Sequence, residues 1–276
     1  MNDIVDNIYV VNMKKDTIRL NKFQTQVGDK FKYQIVEGVD CDSPQYKEKY
    51  ETWKNKNPIS KNITFEHFDW QLYLNNYADL KKKFNTKNEA WRHWINYGKK
   101  EFRTCVTNRI VNKGQLGCLQ SHINILKDAL EKNYETILVL EDDVMLSKHF
   151  DNQIERITQI QQTNPDWNII YTGASQHNWT DIEFHKDLYY ARGTTGTFSY
   201  IVRRPFYQIC LDEFDKKRKP VDNYLVDIQA KYYKSIIVLF PNIMICNLEE
   251  SNIGYTRNQI LWSNKFRWLL KEYHLN

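Results

Sequence analysis

Short apolar runs alternate with amphipathic stretches along most of the chain. Six runs are rich in β-branched and aromatic residues and carry few charges, which is typical of buried strands. They lie at 8–12, 33–36, 137–140, 167–171, 197–202 and 236–240. Helical spacing of apolar residues predicts helices at 116–132, 151–162, 224–232 and 260–273. This alternation predicts an α/β sandwich with a largely parallel sheet, whose ligands gather at the carboxyl ends of the strands.

The clearest helical pattern is the one at 116–132. Four apolar residues recur there at steps of three and four: Leu119, Ile123, Leu126 and Leu130. A second pattern begins at Asp16 and is expected to bury one side, formed by Ile18, Phe23 and Val27. Both patterns predict helices packed against the sheet.

The segment at 43–104 differs from the rest of the chain because aromatic residues crowd it at helix-like spacings. They are Trp53, Phe65, Phe68, Trp70, Tyr73, Tyr77, Phe84, Trp91, Trp94 and Tyr97. We interpret the segment as a helical insertion with a small core of its own, set within a single domain at 1–276. Most of these rings are expected to be core, and one or two on its outer face could contact an acceptor.

Composition narrows the function further. Of the 276 residues, 41% are hydrophobic and 26% are charged, which is typical of a folded domain rather than a disordered chain. The net charge of +5 suits an acidic small molecule and is too weak and diffuse to indicate nucleic acid. Five scattered cysteines, without a C-x-x-C pair, favour reduced thiols. With no signal peptide, ER-retention signal or apolar span of about 20 residues, we expect a cytoplasmic protein.

Three consecutive carboxylates, Glu141, Asp142 and Asp143, directly follow the apolar run at 137–140. Like charges this close repel each other unless a cation or solvent compensates, and carboxylate oxygens suit Mg²⁺ or Mn²⁺. Alternate strand residues share a face, so Glu141 and Asp143 could bind one ion while Asp142 points away or binds backbone. The alternatives are an exposed strand end or a group of acids at a helix N-terminus.

An ordered set of motifs resembles glycosyltransferase family 25, which includes bacterial lipooligosaccharide galactosyltransferases and collagen hydroxylysine glycosyltransferases. The central motif is Gly117-Cys118-x-x-Ser121-His122, followed by a helix and the run ILVLEDDV at 137–144. Four further segments match in order: 8–12 with Arg19, the glycine-threonine segment at 193–197, Pro-Val-Asp at 220–222, and 240–242 with 251–254. The resemblance covers most of the chain except about 43–104.

The resemblance implies a GT-A-like fold and transfer of glucose or galactose from a UDP-sugar to a hydroxyl group, with Mn²⁺ or Mg²⁺ as cofactor. Glu141 and Asp143 would hold the metal, with Asn252 of the closing segment as a third candidate ligand. The acceptor would be collagen-type hydroxylysine or galactosylhydroxylysine, or alternatively a lipopolysaccharide-type glycan. The insertion and the missing signal sequence are departures from the known types, and they put the acceptor in doubt.

The donor site is expected near the ends of the first strands. Arg19 could pair with phosphate, Asn12 could recognise uracil or ribose, and Glu37 with Gly38 could form a nucleotide wall. Asp142 is a further donor-binding candidate. Each of these residues could instead be an ordinary surface or structural residue.

The central and late motifs supply the remaining candidates. Ser121 and His122 are expected near a helix N-terminus that favours anions, with His122 as a catalytic candidate or a core histidine, and Cys118 as packing. The segment with Thr194, Thr195 and Gly196 could approach the donor sugar or form a plain turn.

Asp222 is the candidate general base for the acceptor hydroxyl, or else a helix N-cap. Two rival functions remain. A non-catalytic sugar-nucleotide or glycan-binding relative would have little use for three adjacent acids. A metal-dependent phosphotransferase or nuclease would need more converging carboxylates and, for nucleic acid, a more basic surface.

Overall fold

The computed structural model of the chain describes residues 1–56, 63–66, 68–99, 101, 105, 110, 112–179, 182–248 and 258–274. Asn252, the third candidate metal ligand, lies outside the described residues, as does part of the segment predicted as an insertion.

Ten strands are described. They are β1 (Asn7–Asn12), β2 (Gln34–Glu37), β3 (Thr136–Glu141), β4 (Val144–Leu146), β5 (Ile169–Ser175), β6 (Glu183–His185), β7 (Leu188–Tyr190), β8 (Thr195–Arg203), β9 (Ile236–Leu239) and β10 (Met244–Cys246). Eight form one sheet in the order β2-β1-β3-β8-β5-β9-β7-β6, and β4 pairs with β10 in a second sheet. Within the large sheet, β8 and β7 run against the other six described strands.

Ten α-helices are described. They are α1 (Thr17–Val27), α2 (Pro44–Lys56), α3 (Trp70–Asn76), α4 (Ala78–Lys81), α5 (Lys87–His93), α6 (Lys113–Glu131), α7 (Phe150–Thr163), α8 (Pro205–Phe214), α9 (Val221–Tyr232) and α10 (Gln259–Phe266). A π-helical turn at Trp94–Gly98 and 3-10 turns at Tyr233–Ser235 and Leu270–Glu272 accompany them. The part of the chain that the structure describes has no helix long and apolar enough to cross a membrane.

Strand alternation builds a core on each face of the large sheet. In β1, Tyr9 packs with α6, α8 and α9, whereas its neighbours Ile8 and Val10 pack on the opposite face with α1 and α7. Side chains two apart on a strand share a face, so one run of apolar residues serves both cores. The expected α/β class is confirmed, with a sheet whose strands run mostly in one direction.

The aromatic segment divides between two cores. Phe68, Tyr73 and Trp94 form a separate cluster with residues from α3 to α5. Trp53 instead packs on the main core, where its indole N–H donates to the Lys217 carbonyl at 2.9 Å. The expectation that Trp53 belongs to the small core was therefore wrong, because α2 lies against the main domain. The insertion as a separate unit stays a prediction.

Several elements depart from the sequence pattern. The helix predicted at 260–273 ends at Phe266, because Arg267 adopts a left-handed conformation at φ 59°. Ile18 was expected on the buried side of α1 but is 72% exposed, while Phe23 and Val27 are buried. Helix α8 and the three-residue strands β4, β6, β7 and β10 were not predicted.

Candidate active site

An open cleft lies where the carboxyl ends of β1, β2 and β3 meet α6. Its walls come from the acid cluster 141–143, from Arg19, from segment 38–42 that follows β2, and from one side of α6 between Lys113 and His122. The parallel pairing of β1 with β2 and β3 places these strand ends side by side. The cleft therefore occupies the edge of the sheet at which the sequence predicted a ligand site.

Helix α6 and segment 38–42 touch closely to form one wall. The Ser121 hydroxyl donates to the Gly117 carbonyl at 2.8 Å and accepts from the backbone N–H of Val39 at 2.9 Å. A Cβ at position 117 would lie 2.3 Å from the Val39 carbonyl oxygen, so only glycine fits here. The Ser121 hydroxyl thus joins α6 to segment 38–42, and donor binding by Ser121 stays a prediction.

The start of α6 corrects a second expectation. The helix begins at Lys113, and the Asn112 side chain caps it by accepting from the Gln115 N–H at 2.8 Å. Ser121 and His122 are therefore in the helix interior rather than near its N-terminus. The first turn still borders the cleft through Lys113 and Gly114, where the N–H groups of a helix start favour an anion.

The three carboxylates do not separate as the strand pattern suggested. Asp142 was expected to point away or bind backbone, yet its carboxylate accepts from the Asn12 amide at 2.6 Å and pairs with Arg19. Arg19 also contacts Asp143 at 3.1 Å, and Glu141 accepts from the Thr197 hydroxyl at 2.7 Å. All three acids line the cleft. Because β3 ends at Glu141, the alternation of side chains along a strand does not extend to Asp142. The position of Asp142 is set by the positive charge of Arg19.

Burial and mutual repulsion make this cluster costly in its charged form. Burial, together with the charge of Glu141, raises the pKa of Asp143 well above its usual value. Burial also raises the pKa of Glu141 and of Asp142. For Arg19, burial lowers the pKa but attraction to the carboxylates outweighs it, so the net shift is upward. One guanidinium thus faces three carboxyl groups, and a divalent cation would favour their charged forms.

The donor atoms of the cluster fit a hard divalent cation. Asp143 Oδ1 is buried and has no hydrogen-bond partner among the described residues. Glu141 and Asp143 both line the cleft and offer carboxylate oxygens, which Mg²⁺ and Mn²⁺ prefer. A buried carboxylate oxygen without a partner lowers the stability of the folded protein, and a bound cation would offset this cost.

His122 lies behind the acid cluster as a neutral side chain. Its Nδ1 is 2.8 Å from the Tyr200 hydroxyl, and its Nε2 is 4.0 Å from Glu141 Oε1. Burial lowers the pKa of His122 to about 4, so the contact with Glu141 is not an ion pair at neutral pH. Of the two interpretations made from sequence, catalyst and core histidine, the position fits a buried histidine at the rim of the cleft.

The glycine-threonine segment does not line the cleft, and its threonines are hydrogen-bonded to neighbouring protein groups. Gln229 accepts from the Thr194 N–H at 2.9 Å and donates to its carbonyl at 2.7 Å, while the Thr194 hydroxyl donates to Gln176. Thr195 bonds His177 at 2.9 Å. Gly196, at φ 90°, is the second residue of β8 and allows close packing on a phenylalanine ring. The threonine hydroxyls predicted to bind the donor are therefore engaged with protein groups.

Asp222 lies in the first turn of α9, beyond the N-cap Pro220. Its carboxylate accepts from the N–H of Asn223 at 2.9 Å, so it is not the N-cap that the alternative interpretation required. The charge of Asp222 contributes to the raised pKa of Glu141 and of Cys118. Asp222 therefore lies near the acid cluster, although it is not among the residues that line the cleft.

The remaining candidates for nucleotide binding are Gly38, Asn12 and Glu37. Gly38 lines the cleft, and its N–H donates to the Asn12 carbonyl at 2.8 Å. Asn12 is buried with its amide donating to Asp142 and to the Asp16 carbonyl, so that amide is not free to recognise a base. Glu37 is exposed at the end of β2, outside the residues that line the cleft.

Sequence reasoning missed several residues at this site. Thr197 hydrogen-bonds Glu141, and Tyr200 hydrogen-bonds His122. Cys118 lies beside both Glu141 and His122 instead of acting only as packing. Lys15 and Lys113 add positive charge to the cleft. The spacing of Cys118 and His122, four residues apart in a clear helix, was a signal that they share a face.

Comparisons with known proteins show a similarity to one enzyme family. Residues 79–191 match the model of "Glycosyltransferase family 25 (LPS biosynthesis protein)". A human protein named "Inactive glycosyltransferase 25 family member 3" is 29% identical over 124 residues, 43% of this chain and 21% of the relative. "Procollagen galactosyltransferase 1" of Danio rerio is 28% identical over 130 residues, 45% of this chain and 22% of the relative. The chain thus matches about a fifth of the length of these relatives.

A solved structure of UDP-glucose pyrophosphorylase with UDP-glucose aligns over 84% of this chain and 89% of that one. Its TM-score is 0.36 at 11% identity, a likeness too weak to support any conclusion. The matched model and the named relatives agree with the ordered motifs of the sequence. Residues 79–191 of the chain are thus similar to glycosyltransferase family 25.

Proposed function

We propose that the protein is a metal-dependent glycosyltransferase that moves glucose or galactose from a UDP-sugar to an acceptor hydroxyl. The observation that carries the proposal is the acid cluster at the end of β3. Glu141 and Asp143 line the cleft, and the buried Asp143 Oδ1 has no hydrogen-bond partner among the described residues. Similarity to the family supports sugar transfer, and the cluster supports a diphosphate-bound cation as the means.

Glu141 and Asp143 would hold Mn²⁺ or Mg²⁺. When bound, the ion neutralises negative charge on the diphosphate and orients it. Arg19 holds Asp142 and Asp143 in place, and Asn12 fixes Asp142 from the neighbouring strand. These contacts hold the carboxylates ready for the cation, which limits the entropy lost on binding.

Two lysines that line the cleft supply positive charge for the phosphates. Lys15 and Lys113 line the cleft, with side chains 62% and 52% exposed, so both can move toward an anion. They now pair with Asp40 and Asp42 at the surface, where an ion pair contributes little. The first turn of α6 adds N–H groups beside Lys113 and Gly114.

Asp222 would serve as the general base. Its carboxylate would accept the proton of the acceptor hydroxyl as that oxygen bonds to the anomeric carbon of the donor sugar. The bond from the anomeric carbon to the UDP oxygen breaks, and UDP leaves with the bonding electrons. Asp222 is suited to this role because it lies in the first turn of α9, outside the residues that line the cleft but near enough for its charge to raise the pKa of Glu141.

We propose collagen-type hydroxylysine or galactosylhydroxylysine as the acceptor. Relatives named as procollagen galactosyltransferases, from Danio rerio and human, support this class. The description "LPS biosynthesis protein" in the matched family model supports a lipopolysaccharide-type glycan as the alternative.

A non-catalytic sugar-nucleotide-binding protein is the second candidate function. The specific observation in its favour is that a human relative is named inactive. The acid cluster argues against it, because burying three carboxyl groups beside one arginine is costly and needs a function to retain it.

Measuring UDP release separates these functions. Chelator-treated protein would be offered UDP-glucose or UDP-galactose, with and without Mn²⁺. Acceptors would be a hydroxylysine peptide, a galactosylhydroxylysine peptide and a lipooligosaccharide core, with products identified by mass. We expect Mn²⁺-dependent UDP release and a peptide heavier by one hexose. UDP-sugar binding without transfer to any acceptor would favour the non-catalytic function.

A further inference from the structure

A second group of metal-binding side chains lies beside the acid cluster. Cys118 and His122 are one turn apart on α6, and both face Glu141 at the end of β3. One ligand atom from each of the three lies within 4.8 Å of the other two. The group joins a thiol, an imidazole and a carboxylate.

The imidazole of this group has a buried nitrogen with no partner. His122 is 1% exposed, and its Nε2 makes no hydrogen bond to any residue the structure describes. That nitrogen is 4.0 Å from Glu141 Oε1, whereas Nδ1 is held by the Tyr200 hydroxyl at 2.8 Å. When Nδ1 carries the proton, it donates a hydrogen bond to the Tyr200 hydroxyl, and the lone pair of Nε2 is then available to a metal ion.

Supporting hydrogen bonds of the kind seen around metal ligands are already in place. Tyr200 fixes the orientation of the His122 ring, and the Thr197 hydroxyl donates to Glu141 at 2.7 Å. Ligating histidines usually bond a second group through their other ring nitrogen, and ligating carboxylates are hydrogen-bonded in turn. Neither contact uses Nε2 of His122.

We propose that Cys118, His122 and Glu141 form a binding site for Zn²⁺. Thiolate, imidazole and carboxylate are ligands of zinc, whereas Mn²⁺ and Mg²⁺ prefer oxygen donors such as Glu141 and Asp143. Tetrahedral bonding at zinc distances places ligand atoms about 3.5 Å apart, so atoms that lie up to 4.8 Å apart need to approach by up to about 1.3 Å. The open cleft leaves room for a water as the fourth ligand. On binding, the thiol releases its proton to the solvent.

Zinc at this site would share Glu141 with the proposed sugar-transfer site. Zinc binding would then compete with Mn²⁺ and inhibit transfer, a consequence that rests on the proposed function. Zinc binding itself does not rest on it, because the donor atoms are present whether or not the protein transfers sugar.

Cobalt spectroscopy and zinc competition test the site directly. Chelator-treated protein would be titrated with Co²⁺, whose bond to a thiolate gives a near-ultraviolet charge-transfer band. Zinc affinity would be measured by competition with a chromophoric chelator. The variants are C118S, the matched control C41S, and D143N. Cys41 also lines the cleft but is outside the three-residue group.

We expect one equivalent of Co²⁺ to give the band in the wild-type protein and in C41S. C118S should lose the band and bind zinc more than about 100-fold more weakly, since losing only a supporting contact costs 10–100-fold. D143N should keep the band, which separates this site from the proposed Mn²⁺ site. Absence of the band from the folded wild-type protein, or its survival in C118S, would overturn the proposal.

Discussion

The Asn12 amide donates a 2.6 Å hydrogen bond to the Asp142 carboxylate, joining the ends of β1 and β3. Both side chains are buried, at 5% and 6% exposure, so neither can replace this bond with water at no cost. The bond explains how an acid with a raised pKa is kept at the edge of the sheet. It also makes Asn12 a structural support of the cleft.

Replacing Asn12 with alanine should therefore destabilise the protein by about 1–3 kcal/mol, because the Asp142 oxygen is left unpaired. Asn12→Asp should cost more, since it adds a fourth carboxyl group to the cluster. Urea unfolding measures both variants. The control is Asn21→Ala on the exposed face of α1, expected within about 0.5 kcal/mol of wild type. Equal stability of Asn12→Ala and Asn21→Ala would contradict this role.

Gly117→Ala should disturb the wall between α6 and segment 38–42. The new methyl group would lie 2.3 Å from the Val39 carbonyl oxygen, a backbone atom that cannot turn aside. We expect a loss of about 1–3 kcal/mol from overpacking, together with weaker UDP binding. Thermal unfolding and UDP calorimetry measure the two effects, with exposed Glu131→Ala on the same helix as control. A variant as stable as Glu131→Ala would show that the two backbones can separate freely.

The sequence predicted most of what local chemistry determines. The apolar run at 137–140 and the spacing of Leu119 and Ile123 were sufficient for β3 and α6. The position of Glu141 and Asp143 in a cleft followed from their place after a buried strand.

Contacts between distant parts of the chain could not be predicted in this way. Arg19 pairs with Asp142 and Asp143 instead of standing free for phosphate, because these carboxylates need a compensating charge. The antiparallel β8 brings Thr197 to Glu141, a contact 56 residues apart in sequence. Short strands such as β4 are too brief for a periodic pattern to appear.

Asp222→Asn tests the general base. Turnover should fall by a factor of about 10² to 10⁴, because asparagine cannot accept the acceptor proton. UDP affinity and melting temperature should barely change. Asp227→Asn on the same helix is the control, since its partner is Lys219 at the surface, and it should keep its activity. An active Asp222→Asn enzyme would leave the base unassigned.

Alkaline pH should destabilise the protein partly through Cys210. Burial raises the pKa of this thiol from 9.0 to about 12. Between these values the unfolded chain has lost the proton that the folded protein keeps, so stability falls as pH rises from about 9 to about 12. Cys210→Ala should therefore lose less stability than wild type between pH 8 and pH 10.5, measured by urea unfolding. Parallel losses in the two proteins would contradict the assignment.

The central claim is that the acid cluster holds the metal ion that sugar transfer needs. The turnover of Asp143→Asn tests this claim most directly. UDP release would be measured with a hydroxylysine or galactosylhydroxylysine peptide as the acceptor, once with Mn²⁺ and once with chelator. The proteins are wild type, Asp143→Asn and the control Asp151→Asn. Asp151 is an exposed acid at the start of α7. We expect Mn²⁺-dependent turnover in wild type and Asp151→Asn, and none in a folded Asp143→Asn. Turnover that persists in chelator, or in Asp143→Asn at the wild-type rate, would contradict it.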